Sequence, residues 1–259
     1  MVAMGEVNRT IIALSLYGLL ASVALADDNK NQPKLPDTLS KALKQFSDNE
    51  SYSFRTALGG KSEDGVEGKY SKDQPVYFKA DGVEFFKKAD TLVYKQGEQW
   101  QKTKRGIESD PLRVLVPSAK VRETTLPHEQ LARIDKYLKD MKQSEGKGAG
   151  GTVATTTTST APAKQSEGQG DDDTVFTAEL SLDGCRALLL PADKDLAKQG
   201  KIRFGVNKDG QLTFYESEIV IEGKRGDADV SGTVTRRVTV SDIGKVKFDV
   251  PDAARKALE

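Results

Sequence analysis

The chain holds one cysteine, one histidine and one tryptophan among 259 residues. A single Cys excludes an internal disulfide, so a hydrophobic core has to hold the fold. A single His, His128, excludes histidine-rich metal clusters. It sits beside Pro127 and Glu129 at the start of a helical pattern, with no nucleophile or carboxylate partner at a useful spacing, and reads as an exposed structural residue. Metal-protease, phosphate-loop and nucleophile-elbow motifs are missing. Charge of one sign is missing too, since 39 basic residues balance 39 acidic ones. Without a concentrated basic face, nucleic acid is not an expected partner. The Lys102, Lys104, Arg105 cluster reads as a solvated strand end. Long apolar runs are confined to the N-terminus. There Arg9 precedes the run Ile11–Leu20, and Ala24-Leu25-Ala26 precedes Asp27-Asp28. A positive start, a short greasy centre and an A-x-A site read as a cleavable secretory signal over residues 1–26. Cleavage near Ala26 would leave a periplasmic or secreted chain, 27–259. No Cys stands at the cleavage point to carry a lipid anchor.

Residues 144–173 differ from their flanks. They pass from a Gly-rich stretch through a Thr, Ala and Pro tract to Asp171-Asp172-Asp173. Such composition has too little apolar surface to offset its ordering entropy. The expectation is a disordered low-complexity loop interrupting a single domain. Gly146, Gly148 and Gly151 match a dinucleotide-binding spacing, but no strand precedes them and no helix follows. The three Asp lack calcium-loop spacing and read as a solvated charge run. Asn49-Glu50-Ser51 fits a glycosylation triplet, which is common by chance. Cys185 reads as a buried or half-buried bystander, with no cofactor in view.

Before that loop, Leu39, Ala42, Leu43 and Phe46 recur at helical spacing, with Asp37 or Thr38 as the N-cap. Short alternating strands follow: Tyr52 to Leu58, Val76 to Ala80, Val83 with Phe85, and Leu92 with Tyr94. Turn-formers separate them at Gly59-Gly60, Asp64-Gly65, Asp81-Gly82, Ala89-Asp90 and Gln96-Gly97. A short apolar segment, Leu112 to Val116, lies between Asp110-Pro111 and Pro117. From Leu126, with Thr125 as cap, Leu131, Ile134, Leu138 and Met141 form one stripe of a longer helix. After the loop, strands return at Phe176 to Leu180. Short helical pieces are expected at Leu182 to Leu190 and Asp193 to Gln199. Strands resume at Ile202 to Val206, Leu212 with Phe214, Ile219 with Ile221, Val238 with Val240, and Val246 to Val250. A hairpin is expected at Asn207 to Gly210 and a final helical turn at Asp252 to Leu258. Sheets with one apolar face need cover, and the helices between them supply it. The fold class is therefore α+β, an incompletely closed antiparallel β-barrel or curved sheet with central helices over its open side.

The first strands are rich in aromatic residues. These are either an ordinary core or the wall of an apolar cavity with a helix as lid.

The order of motifs resembles the LolA/LppX-like superfamily of exported lipoprotein carriers and lipid-binding proteins. The resemblance runs through Ser51-Tyr52-Ser53-Phe54, Gly68-Lys69-Tyr70 with Pro75, Leu92-Val93-Tyr94-Lys95, Trp100 and the closing stretch Gly244 to Pro251. It implies helices plugging an open barrel with an apolar cavity between. The ligand-facing residues are then Tyr52, Phe54, Phe78, Phe85, Leu92 and Tyr94 on the strands. Leu131, Ile134 and Leu138 would face them from a movable helix. The function expected is non-catalytic binding or carriage of a lipid or acyl chain by a monomer, with another envelope protein as a further partner. A protein-interaction or sensor module of the same fold, with no lipid cargo, is the alternative. An enzyme is the third reading, and no catalytic or metal constellation supports it.

Overall fold

The computed structural model describes residues 35–59, 61–103, 121, 124–132, 134–144, 173–189 and 191–259, all within one compact unit spanning Gln32–Glu259. The signal segment 1–26, the Leu112 to Val116 segment and nearly all of the low-complexity stretch lie outside the described residues.

Helix α1 (Asp37–Ser47) buries Leu39, Ala42, Leu43 and Phe46, the stripe read from the sequence. Its N-cap position is Pro36, which offers no side-chain cap; Asp37 stands in the first turn, where a negative charge suits the helix dipole. Six strands follow in a meander: β1 (Ser51–Leu58), β2 (Lys61–Ser71), β3 (Val76–Ala80), β4 (Val83–Lys88), β5 (Thr91–Gln96) and β6 (Gln99–Lys102). The Asp81-Gly82 loop has positive φ at both residues, 49° and 80°, as a two-residue hairpin twisted with its strands requires. Asp64-Gly65 is no turn. Strand β2 runs through it, and its pairing with β1 shifts register there, between Thr56 and Leu58.

Helix α2 is short, Pro127–Leu131, and a 3-10 turn (Ile134–Tyr137) leads from it into β7 (Leu138–Ser144). The long helix expected from Leu126 is thus three different elements. Leu138 and Met141 are strand residues. A register irregularity between Lys139 and Met141, with Asp140 at φ 34°, brings these two residues, three apart, toward the same core. A bulge therefore imitates helical spacing. The cap is Leu126 rather than Thr125. Pro127 occupies the first turn, and the Glu129 carboxylate accepts the Leu126 N–H at 3.3 Å.

The second meander continues with β8 (Thr174–Leu180), β9 (Ala197–Val206), β10 (Leu212–Arg225) and β11 (Ala228–Ser241). Helix α3 (Leu182–Leu188), capped by Ser181, and a 3-10 turn (Pro191–Leu196) join β8 to β9. Residues 246–250 run without strand pairing, contrary to the alternation read there, and lead into helix α4 (Asp252–Leu258).

Among the described residues eleven strands form one antiparallel sheet in the order β6-β5-β4-β3-β2-β1-β11-β10-β9-β8-β7. Successive strands pair with one another except β6 and β7, which lie at opposite edges, and at the centre β1 pairs with β11. The sheet does not close, since β6 and β7 are its two edges.

Each face has its own cover. The inner face meets α1, α2, α3 and the Ile134–Tyr137 turn in one large core. On the outer face α4 packs over β4, β5 and β6, burying Phe86, Val93, Val250, Ala254 and Leu258. Among the described residues the helical cover of the inner face is made of short pieces, not of the long central helix read from Leu126. Phe214, read as alternating with Leu212, is not on the inner face. A register shift between Leu212 and Phe214 turns Tyr215 inward, and Phe214 lies under the Arg237 guanidinium, 3.9 Å from ring centre to Cζ. Beside it Glu216 binds both Arg203 and Arg237, the latter at 3.1 Å, with the Glu216 and Arg237 side chains each 11% exposed.

Candidate functional site

The inner face is continuous because antiparallel register stacks like positions of successive strands. One row runs Phe54, Gly68, Phe78, Phe85 and Tyr94 across β1 to β5. A second runs Val83, Ala80, Val66, Thr56, Val238, Tyr215, Phe204 and Phe176, crossing the β1–β11 seam without a break. Gly68 in the first row is a packing requirement. A Cβ there would stand 2.2 Å from the Phe54 ring.

The structure gathers all nine residues read from the sequence as ligand-facing into this one core, none more than 4% exposed. Their elements differ from expectation. Tyr52, Phe54, Phe78, Phe85, Leu92 and Tyr94 are on strands as read. Leu131 alone is on α2, Ile134 is on the 3-10 turn, and Leu138 opens the edge strand β7. The aromatic residues touch in series. Tyr52 lies 4.8 Å from Phe46 and 6.0 Å from Phe54, Phe54 meets Phe78 edge-on at 5.9 Å, and Phe85 lies 6.5 Å from Tyr94.

Four residues tie the cover to the sheet, two of which, Tyr215 and Gln130, the sequence reading does not single out. The Tyr52 hydroxyl lies 2.6 Å from Nδ1 of His128. The Tyr215 hydroxyl donates to Oε1 of Gln130. His128 also lies against the Tyr70 ring, 4.5 Å between centroids. Both pins reach α2, a helix of five residues. His128 is therefore a half-buried, bonded residue, not the exposed one expected. The available signal was the tyrosines themselves: a Tyr on a buried apolar strand needs a partner for its hydroxyl.

Burial sets the ionisation of this group. It raises the Tyr52 hydroxyl far above the ordinary tyrosine range, an effect that hydrogen bonding by the His128 backbone only partly offsets. Burial raises Tyr215 likewise, against a lowering by Arg236. His128 is lowered from 6.5 by burial, with Glu129 pulling the other way. Tyr52 thus keeps its proton beside an imidazole held below the ordinary histidine value.

Cys185 is fully buried on α3, with burial raising its thiol. Its sulfur fills the space over Gly200, where a Cβ would stand 2.8 Å away. Asp173, read as part of a solvated run, is buried and accepts the Thr213 hydroxyl at 2.6 Å; Asp171 and Asp172 lie outside the described residues. Among the described residues no group of His, Cys, Asp or Glu is arranged to hold a metal, and no helix is long and apolar enough to cross a membrane.

No known family profile matches the sequence, and no curated protein matches it. Solved structures do. The chain is similar to the Mycobacterium tuberculosis lipoprotein LppX at 12% identity and a TM-score of 0.45, over 82% of this chain and 95% of that one. It is similar to LprF from Mycobacterium bovis at 11% identity and a TM-score of 0.46, over 84% and 95%. A LolA superfamily protein from Nitrosomonas europaea matches at 13% identity and a TM-score of 0.26, over 86% and 96%.

Proposed function

We propose that the protein binds and carries an apolar lipid or acyl chain between the inner face of its sheet and the helical cover, without catalysing a reaction. The supporting observation is the mismatch between the two layers. Among the described residues a largely apolar face spans most of the sheet, while its cover consists of short helices and turns, one of them held by the Tyr52–His128 and Tyr215–Gln130 bonds. A cover in short pieces moves off a sheet at lower cost than a long packed helix does. Each ligand methylene then buried contributes about 0.8 kcal/mol. Tyr52, Phe54, Phe78, Phe85, Leu92 and Tyr94 form the wall in this reading, and Leu131, Ile134 and Leu138 the facing side. The protein acts as a monomer in the periplasm or outside the cell after cleavage near Ala26, handing its cargo to or from an envelope protein. Residues 27–259 act as one domain with 144–173 as an excursion, so protease should cut first within 144–173 and leave two fragments that stay together.

The test is titration of delipidated protein with a fluorescent fatty acid, beside mass spectrometry of an organic extract of the purified protein. Saturable binding or co-purified lipid supports carriage. Neither result would leave the second reading, a protein-interaction or sensor module without cargo. A specific observation favours that alternative: the wall residues are already packed against one another, with none more than 4% exposed.

A further inference from the structure

The outer face carries a feature that the lipid reading does not use. Where β3, β4, β5 and β6 meet the segment leading into α4, a shallow cavity of about 300 Å³ opens to solvent. Its floor is aromatic. The Phe86 ring lies 5.0 Å from Trp100, meets Tyr77 edge-on at 5.6 Å and stacks with Phe248 at 6.4 Å. Phe86 is buried, whereas Tyr77, Trp100 and Phe248 are half-buried. The rim is polar and balanced, with Lys69 and Lys95 against Glu84 and Asp249. Glu84 accepts the Tyr77 hydroxyl at 2.9 Å and lies 3.5 Å from the Lys95 ammonium. Lys69 stands over the Tyr77 ring at 5.8 Å.

We propose that this cavity is a binding site for a neutral pyranose sugar. The aromatic floor calls for a ligand with a flat C–H face, because half-wet rings gain most from an apolar surface that still leaves their edges hydrated. The rim supplies donors and acceptors around that floor, which calls for hydroxyls at the ligand's periphery. Two positive and two negative rim groups leave no net charge to select an anion or a cation. The volume lies at the small end of ligand pockets, which suits one or two sugar rings and not a folded partner. A flat apolar face ringed by hydroxyls, without charge, is the surface of a pyranose. Tyr77 and Trp100 would stack on the ring, while Glu84 and Lys95, already fixed by Tyr77 and by each other, would hold its hydroxyls.

Trp100 is the chain's only tryptophan, so intrinsic fluorescence reports on this cavity. Delipidated protein is titrated with methyl glucoside, methyl mannoside and methyl galactoside. Sorbitol serves as an acyclic polyol without a ring face, and glucuronate as a charged analogue. Short methyl aglycones keep any response separate from chain binding on the inner face, so this test and the lipid test fail independently. The expected result is a saturable change with at least one methyl pyranoside and none with sorbitol. Binding should weaken about tenfold in Glu84→Gln, through loss of a charge-assisted hydrogen bond, and should also weaken in Lys95→Met. Both variants keep Trp100 and leave the buried Phe86 cluster intact. A soluble oligosaccharide and vesicles bearing a glycosylated lipid then distinguish a free glycan from a headgroup as the source. No saturable response to any pyranoside, an equal response to sorbitol, or binding untouched by both variants would overturn the proposal.

Discussion

Replacing Tyr52 by Phe removes one hydroxyl from a side chain that keeps its ring contacts with Phe46, Phe54 and Tyr70. What is lost is the 2.6 Å bond to His128. A net hydrogen bond contributes about 0.5–1.5 kcal/mol, and a partner left unsatisfied adds about 1–3 kcal/mol when buried. His128 is half-buried and regains some water, so the expected loss is about 1–2 kcal/mol. That loss should fall on α2 before the sheet, because one of its two tyrosine pins is gone. Two amides report on α2: Gln130 N–H donates to Leu126 at 3.0 Å and Ala132 N–H to His128 at 2.9 Å. Their hydrogen exchange should speed about 5- to 30-fold in Tyr52→Phe, the factor equivalent to 1–2 kcal/mol, while β1 and β11 amides change less. Acid should act in the same direction on the wild type. Native His128 binds a proton less readily than the unfolded chain does, since burial lowers it from 6.5. Its contribution to stability is therefore present above 6.5 and falls away as pH drops through the lowered native value. Glu129 opposes this effect without reversing it. Unchanged exchange at Gln130 and Ala132 in a folded Tyr52→Phe protein would refute the idea that this bond pins the cover.

Gly68→Ala should cost about 1–3 kcal/mol by overpacking against the Phe54 ring, read as a lower urea midpoint, and Phe54→Leu in the same chain should recover part of it. Glu216→Ala should cost about 3–5 kcal/mol, because it leaves the Arg237 guanidinium buried without its carboxylate. Glu218→Ala, which removes the partner of the more exposed Lys201, should cost under about 1 kcal/mol in the same denaturation series. Cys185 should resist a thiol reagent in the native protein and react fully once denatured, since it is buried and its thiol is raised; rapid native labelling would show that α3 opens easily.

The meanders were legible because their turns are chemically explicit and their apolar residues alternate. Asp81-Gly82 and the Asn207–Gly210 hairpin both sit where the sequence places them. Reading failed where pairing departs from a strict period of two. The β7 bulge spaces Leu138 and Met141 like helix neighbours, and the shift in β10 sends Phe214 outward and Tyr215 inward. A bulge is decided by the facing strand, so its own residues carry little trace of it. All nine residues read as ligand-facing are buried in the inner core, because burial follows hydrophobicity, whatever element carries the residue. The pins at His128 and Gln130 were missed because a polar residue on a short helix looks solvent-facing until a tyrosine on a distant strand is brought to it. The outer aromatic cluster escaped for a related reason. Sequence alone presents the aromatics of the first strands as one group, and only the backbone shows that Phe86 and Trp100 lie in the outer cluster.

The seam between β1 and β11 joins residues from near opposite ends of the chain, with Ser53 paired to Ser241. A ribosome completes β1 to β6 long before β11 exists. Throughout that interval the first meander carries an unpaired edge along β1, in addition to β6, and such an edge templates association with other chains. Contacts this distant in sequence also slow the final closure. Newly made protein therefore passes through a sticky half-sheet stage that ends only when the last strand arrives. Its yield depends on whatever shields β1 in the meantime.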